Sequence, residues 1–151
     1  MVSREEVLEN LEKEKVGVLS SKGEEENIRL RVMYYGVDKG FNFYLMTSRD
    51  SPKVREITAH PRVSFLVYHL EEPFDRSWEL EVEGRVKIVE KGRDLSKGLA
   101  TLKGKNPFVD VAVEAGITDE FVILHLIPSL IRFRIYGDIL KGLPPTVWEF
   151  P

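Results

Sequence analysis

Short β-rich runs separated by turn residues leave this chain few architectures to choose from. Val16 to Ser20, Ile28 to Tyr35, Phe41 to Thr47, Arg62 to His69, Trp78 to Val89, Phe121 to Ile127 and Leu130 to Tyr136 each hold β-branched and aromatic residues over a strand's length. Helical spacing is confined to brief segments. Ser3 followed by Glu6 makes a capping box ahead of Val7, Leu8 and Leu11, predicting a helix over 3–14. A second helix opens at Ser51-Pro52 and ends at His60-Pro61, where the proline stops it. Between Gly92 and Ala115, Leu95, Leu99 and Leu102 recur at near-helical spacing, and Asn106-Pro107 opens another short helix. The order helix, three strands, helix, two strands, helices, two strands predicts an α+β fold, a mostly β antiparallel barrel with short flanking helices. No repeat or linker breaks the pattern, so residues 1–151 read as a single domain, a size at which folding buries roughly two thirds of the unfolded surface.

Composition removes several kinds of chemistry. Cysteine is absent, which excludes disulfides, thiolate metal sites and a cysteine nucleophile, and suits a reducing cytoplasm. No apolar run approaches the roughly 20 residues that span a bilayer, and the charged N-terminal segment lacks a signal peptide's apolar stretch, so the expectation is a cytoplasmic protein with no membrane partner. Lys and Arg number 22 against 25 Asp and Glu, a formal charge of -3 that argues against a nucleic-acid partner held by phosphate neutralisation. A local basic pocket is compatible with that balance.

One such pocket is written into the sequence. From Ile28 to Tyr35 the residues alternate, with Ile28, Leu30, Val32 and Tyr34 read as the core face and Arg29, Arg31, Met33 and Tyr35 as a face that presents cations. Asp38-Lys39-Gly40 is turn chemistry, predicting an antiparallel hairpin with the run Phe41 to Thr47. The next residues, Thr47 to Lys53 (T-S-R-D-S-P-K), place the hydroxyls of Thr47, Ser48 and Ser51 and the cations Arg49 and Lys53 at a helix N-terminus. Exposed amides and partial positive charge make such a terminus a phosphate site, and cations strengthen it. Asp50 is expected to point away. The competing interpretation is that Ser51 only caps the helix while the arginines pair with nearby glutamates.

The run from Arg31 through R-V-M-Y-Y to D-K-G, then F-Y-L-M-T-S-R-D-S-P-K-V-R-E-I and H-P-R-V-S-F, resembles the core of the pyridoxamine 5'-phosphate oxidase-like, FMN-binding split-barrel superfamily. The resemblance covers residues 1 to 90 well and the last third only in layout. It implies a split barrel binding FMN between the subunits of a homodimer. Either Arg29 or Arg31 matches the family's phosphate-binding strand arginine, depending on how the spacing is counted. Val32 and Met33 fall where the family's backbone lies along the flavin, Met46 and Thr47 match the next strand, and Ser51 and Lys53 match the phosphate-binding serine and lysine. Pro52 stands where the oxidases have an arginine, a contact left to Arg49 or Arg55. Glu79 matches a glutamine that touches the flavin from the partner subunit. The oxidases' arginine-leucine-histidine-aspartate-arginine substrate motif has no counterpart; Arg132-Phe133-Arg134-Ile135-Tyr136 is a different run, so the resemblance does not extend to pyridoxamine phosphate oxidase activity.

The remaining candidates carry less. His60, His69 and His125 lack metal-ligand spacing and read as capping or strand residues. Trp148 reads as apolar packing at an interface, Trp78 as a flavin-stacking or dimer-surface residue, and Glu79, Glu81 and Glu83 as solvated or paired to a partner chain. The functional expectation is an FMN-dependent oxidoreductase acting on a small redox substrate, the flavin supplying the chemistry and no side chain named as acid or base. The alternative is a binding module on the same dimeric barrel, without turnover or with F420 or haem as cofactor.

Overall fold

Among the described residues, 2–151, the computed structural model folds eight strands into one antiparallel sheet. These are β1 (Val16–Lys22), β2 (Ile28–Tyr34), β3 (Gly36–Val37), β4 (Phe43–Ser48), β5 (Arg62–His69), β6 (Trp78–Val89), β7 (Phe121–Ile135) and β8 (Thr146–Glu149). The hydrogen-bonded order is β2-β1-β5-β6-β7-β4-β3, with β8 added to β7. Five short helices flank the sheet: α1 (Arg4–Lys13), α2 (Pro52–Ala59), α3 (Gly92–Leu102), α4 (Pro107–Ala115) and α5 (Tyr136–Leu140). The architecture is the α+β split barrel. No described helix is long and apolar enough to cross a membrane.

The strand order explains why the sheet curls. β2 and β3 sit at opposite ends of it, yet only Tyr35 separates them in the chain. The two ends must therefore approach one another, although no ladder joins them. Tyr35 is fully buried at that junction: its amide donates to the Lys15 carbonyl at 3.2 Å, and its hydroxyl donates to the Leu11 carbonyl at 2.5 Å. Its ring packs on Phe43 and Phe65, with centroids 5.6 and 5.7 Å away. Aromatic pairs of this kind add about 1 kcal/mol each to the burial they share.

Two expectations are corrected here. The run Ile28 to Tyr35 does not form a hairpin with Phe41 to Thr47. β2 pairs with β1 alone, and the Asp38 turn instead joins β3 to β4. The assignment of faces is also reversed: Ile28, Leu30 and Val32 are 69, 67 and 71% exposed, whereas Met33 and Tyr35 are buried. Alternation identifies two faces without saying which one turns inward. Here the arginine face turns toward the barrel's open seam and the aliphatic face turns out.

The two predicted strands around Pro128 are one strand, β7. It crosses the proline through a bulge, where Glu83 pairs with Leu130 and Gly84 with Pro128, leaving Ser129 extra. A bulge tolerates the missing amide of proline, and the Ser129 hydroxyl donates to the Glu83 carbonyl at 2.9 Å. A Cβ at Gly84 would collide with the Ile127 carbonyl, so the close approach of the strands requires glycine. Beyond the bulge, Glu79, Glu81 and Glu83 of β6 lie beside Arg132 and Arg134 of β7, so these carboxylates are paired within the chain.

Two apolar clusters result. The barrel interior includes Leu19, Phe43, Leu45, Phe65, Leu80 and Val82, and α1 lays Val7 and Leu11 into it. A second cluster, with Tyr44, Met46, Leu102, Val109 and Ile123, lies on the other face of β4 and β7 beneath α3 and α4. Trp148 of β8 stacks on Phe41 at 5.5 Å within the chain.

The β3–β4 turn is organised by Asp38. Its carboxylate accepts from the amides of Gly40 (2.9 Å) and Asn42 (3.0 Å) and from the Tyr44 hydroxyl (3.2 Å), and it pairs with the Lys97 ammonium at 3.0 Å. Burial alone would raise this carboxyl, but the bonds from Asn42, Lys97 and Gly40 outweigh it and hold the group below its ordinary value. A lowered carboxyl contributes stability that is present above its unfolded value and lost as pH falls through the folded one. Asp38→Asn is therefore expected to lower stability by about 2 kcal/mol at neutral pH, with the difference from wild type closing below about pH 4 in denaturant titrations.

Candidate functional site

The seam between β2 and β4 is lined by strand edges without partners. β2 pairs with β1 only, leaving its other edge open. β3 covers only Tyr44 and Phe43 of β4, so from Leu45 to Ser48 one edge of β4 is also bare. Unpaired backbone amides and carbonyls at such an edge are available to a ligand.

Helix α2 closes one end of this seam. Ser51, in extended conformation, caps it by accepting from the Lys53 amide at 3.2 Å, and Pro52 occupies the first helical position. The cap fixes Lys53 in the first turn, where its ammonium donates to the Thr47 hydroxyl on β4 at 3.1 Å. Glu56, one turn further along, is only 6% exposed and receives Arg29 at 3.4 Å and Arg31 at 3.6 Å from β2. Two strands distant in the sheet order, β2 and β4, together with α2 thus bring two guanidinia, one ammonium, one carboxylate and two hydroxyls together.

Electrostatics mark this cluster as strained for cations. Burial, then the neighbouring charges of Arg31 and Arg29, lower the Lys53 ammonium from its ordinary value. Burial and Arg29 likewise lower Arg31, with Glu56 acting in the opposite direction. Nη1 of Arg31 and Oε2 of Glu56 are buried without any hydrogen-bond partner. Buried polar atoms are satisfied in the great majority of cases, so orphans of both signs in one cluster indicate bonding capacity left for something else. Both hydroxyls retain a donor as well, since each is used only as an acceptor by Lys53. An anion fits this set.

The other sequence candidates are distributed differently. Met46 belongs to the cluster under α3 and α4, on the opposite face of β4 from Thr47, and Ser48 is exposed. Their side chains do not join Lys53; only their bare backbone edge faces the seam. Val32 is exposed on the outward face and Met33 lies in the barrel core, so neither side chain joins Lys53. Arg49 is turned away: its guanidinium pairs with Glu90 at 2.6 Å and donates from Nε to the Asp119 carbonyl at 3.0 Å. Asp50 is exposed. Arg55 lines a cavity of about 440 Å³ together with Arg29, Glu56, Glu24 and Glu25. A larger cavity, about 760 Å³, lies apart from the cations, between α5, the tail and β7, and is lined largely by apolar residues such as Ile139, Leu143 and Val147.

Sequence reasoning did not single out Glu56, although the contacts of the competing interpretation, a Ser51 cap and arginines paired to a nearby glutamate, are present here. The available signal was its spacing, since Lys53, Glu56 and Ile57 share one helix face and Ile57 is buried. Two histidines are engaged: His69 lies 2.5 Å from Glu14 and 3.2 Å from Glu71, while His125 contacts Asn42 at 2.9 Å and stacks on Tyr44. Burial lowers the His125 imidazole. His60 follows α2 as its exposed C-cap. Among the described residues no group of three or more His, Asp or Glu side chains is arranged to hold a metal ion.

Solved structures of similar shape exist at low identity. A conserved hypothetical protein from Mycobacterium tuberculosis is 22% identical, with a TM-score of 0.76 over 95% of this chain and 90% of that one. A heme binding protein from Mycobacterium smegmatis is 18% identical, with a TM-score of 0.74 over 99% of this chain and 59% of its own length. An F420 reductase is 20% identical, with a TM-score of 0.55 over 78% of this chain and 88% of that one. At these identities the likeness speaks for the fold. No curated protein matches the sequence. The family model for pyridoxamine 5'-phosphate oxidase matches residues 3–134, nearly all of the sheet and all of the cation cluster, and the chain belongs to that family.

Proposed function

We propose that this chain is an FMN-binding flavoprotein and an oxidoreductase distinct from pyridoxamine phosphate oxidase itself, working as a homodimer. The observation that carries the proposal is the half-buried cluster of Arg29, Arg31 and Lys53 at the seam, with a guanidinium nitrogen of Arg31 left unpartnered. Three cations face one carboxylate, an excess of two positive charges that suits the dianion of a phosphate monoester. Thr47 and Ser51 would add hydroxyl donors. The free edge of β2 around Val32 and Met33, and that of β4 around Met46 and Thr47, would offer backbone bonds to the ring system from whichever residue of each pair faces away from the ladder. FMN, when bound, supplies hydride or electron transfer; the protein's own part is to hold the phosphate, orient the ring and exclude water.

A second reading is a barrel for another cofactor, haem or F420, and the heme binding and F420 reductase proteins of similar fold motivate it. Haem asks for an axial ligand, and of the three histidines only His60 is without a side-chain partner. The phosphodiester of F420 carries a single charge, a poorer match to the cluster. The absorbance spectrum and mass of the co-purifying or reconstituted chromophore decide: flavin bands support the proposal, and a Soret band or the deazaflavin mass replaces it. In the same titrations, Arg31→Ala combined with Lys53→Ala is expected to weaken FMN binding by at least about 2 kcal/mol while the thermal melt persists. Unchanged affinity would remove the phosphate assignment.

Dimerisation is supported by the outward face of β2. Ile28, Leu30 and Val32 form an unpartnered aliphatic row on an edge strand, continued on β1 by Val16. A second copy is the proposed occupant, since an isologous contact would cover the same row on both chains and bring a second protomer beside the seam. Leu30→Glu is expected to shift the protein from dimer to monomer in sedimentation velocity, with a loss of FMN affinity. A wild-type chain that sediments as a monomer would overturn this part of the proposal.

A further inference from the structure

Glu56 is an anomaly in a site meant for an anion. A carboxylate this deeply buried between two guanidinia occupies bonding directions that a phosphate would use. Its contacts are nonetheless long, 3.4 Å to Arg29 and 3.6 Å to Arg31, both made by the same oxygen. The second oxygen has no partner, and neither does Nη1 of Arg31. A charge-assisted pair built for structural bracing would sit nearer 2.8 Å and in bidentate geometry. Gly23 backs this arrangement closely: a Cβ there would lie 2.6 Å from the unpartnered Glu56 oxygen and 2.8 Å from Cγ of Arg29. The carboxylate is held in place by confinement more than by its hydrogen bonds.

We propose that Glu56 is a resident counter-ion which competes with the ligand's phosphate for Arg29 and Arg31, and so sets the affinity of the site. The inference rests on the phosphate reading above. Without ligand, Glu56 offsets part of the repulsion among Arg29, Arg31 and Lys53, which lets three cations share a half-buried volume. When phosphate enters, its oxygens replace the loose carboxylate contacts, and the remaining negative charge of Glu56 opposes the bound dianion. The cluster is thus stable when empty at the expense of tight binding, and the ligand can exchange.

The test is fluorescence titration of wild type, Glu56→Gln and Glu56→Asp with FMN and, as the phosphate-free probe, riboflavin. Glutamine keeps the shape and removes the charge; aspartate keeps the charge and withdraws it from the guanidinia. Glu56→Gln is expected to raise the ratio of FMN to riboflavin affinity at least about tenfold, the scale of one removed charge near a dianion in a partly screened site. Glu56→Asp is expected to fall between it and wild type. An unchanged or lower ratio in these variants, with wild type still preferring FMN, overturns the counter-ion role and leaves the phosphate site standing. If Glu56→Gln fails to fold, the aspartate variant alone decides in the same way. A wild-type protein that does not prefer FMN over riboflavin removes the phosphate reading, and this inference with it.

Discussion

The meeting of two sheet ends without a ladder is the constraint on which the rest depends. Consecutive strands β2 and β3 terminate opposite ends of the hydrogen-bonded order, and the buried Tyr35 between them draws those ends together. The barrel therefore closes by side chains and by one covalent link, not by a main-chain ladder. A seam results, with bare backbone on β2 and on the far half of β4. Every polar group singled out at the candidate site borders that seam or reaches it from α2.

Two opposite solutions to charge appear on the same barrel. On the β6–β7 face, carboxylates and guanidinia alternate across the strands at side-chain exposures near one third, where solvent screening makes each pair worth little. At the seam, the single carboxylate Glu56 is buried against Arg31, with the half-exposed Arg29 and a third cation close by, and screening is weaker for the Glu56–Arg31 contact than on the β6–β7 face. The first arrangement is complete in itself. The second leaves positive charge and unpaired atoms, which is the physical basis for assigning an anionic ligand to it.

Much of the local structure was legible. The capping box at Ser3 and the Ser51-Pro52 helix start correspond to features of the fold, because each depends on residues close in the chain. The β-rich runs coincide with strands to within two residues at their ends, the last two merged into β7. Pairing was less legible: the run before the Asp38 turn and the run after it look like a hairpin, yet β2 turns away at Tyr35 to pair with β1, and the turn serves a two-residue strand instead. Pro128 looked like a strand boundary because its missing amide disfavours a ladder, a cost that the bulge opposite Gly84 removes.

The sequence by itself determined the strand-and-turn rhythm, the short helices and the gathering of hydroxyls and cations between Thr47 and Lys53, since those follow from adjacent residues. Only the tertiary structure decided which face of β2 turns inward, that Arg49 leaves the group for Glu90, and that Glu56 enters it. The reason is that alternation and spacing fix relative orientation along one strand or helix. Which neighbour each face meets is set by the curl of the whole sheet, and no local pattern encodes that.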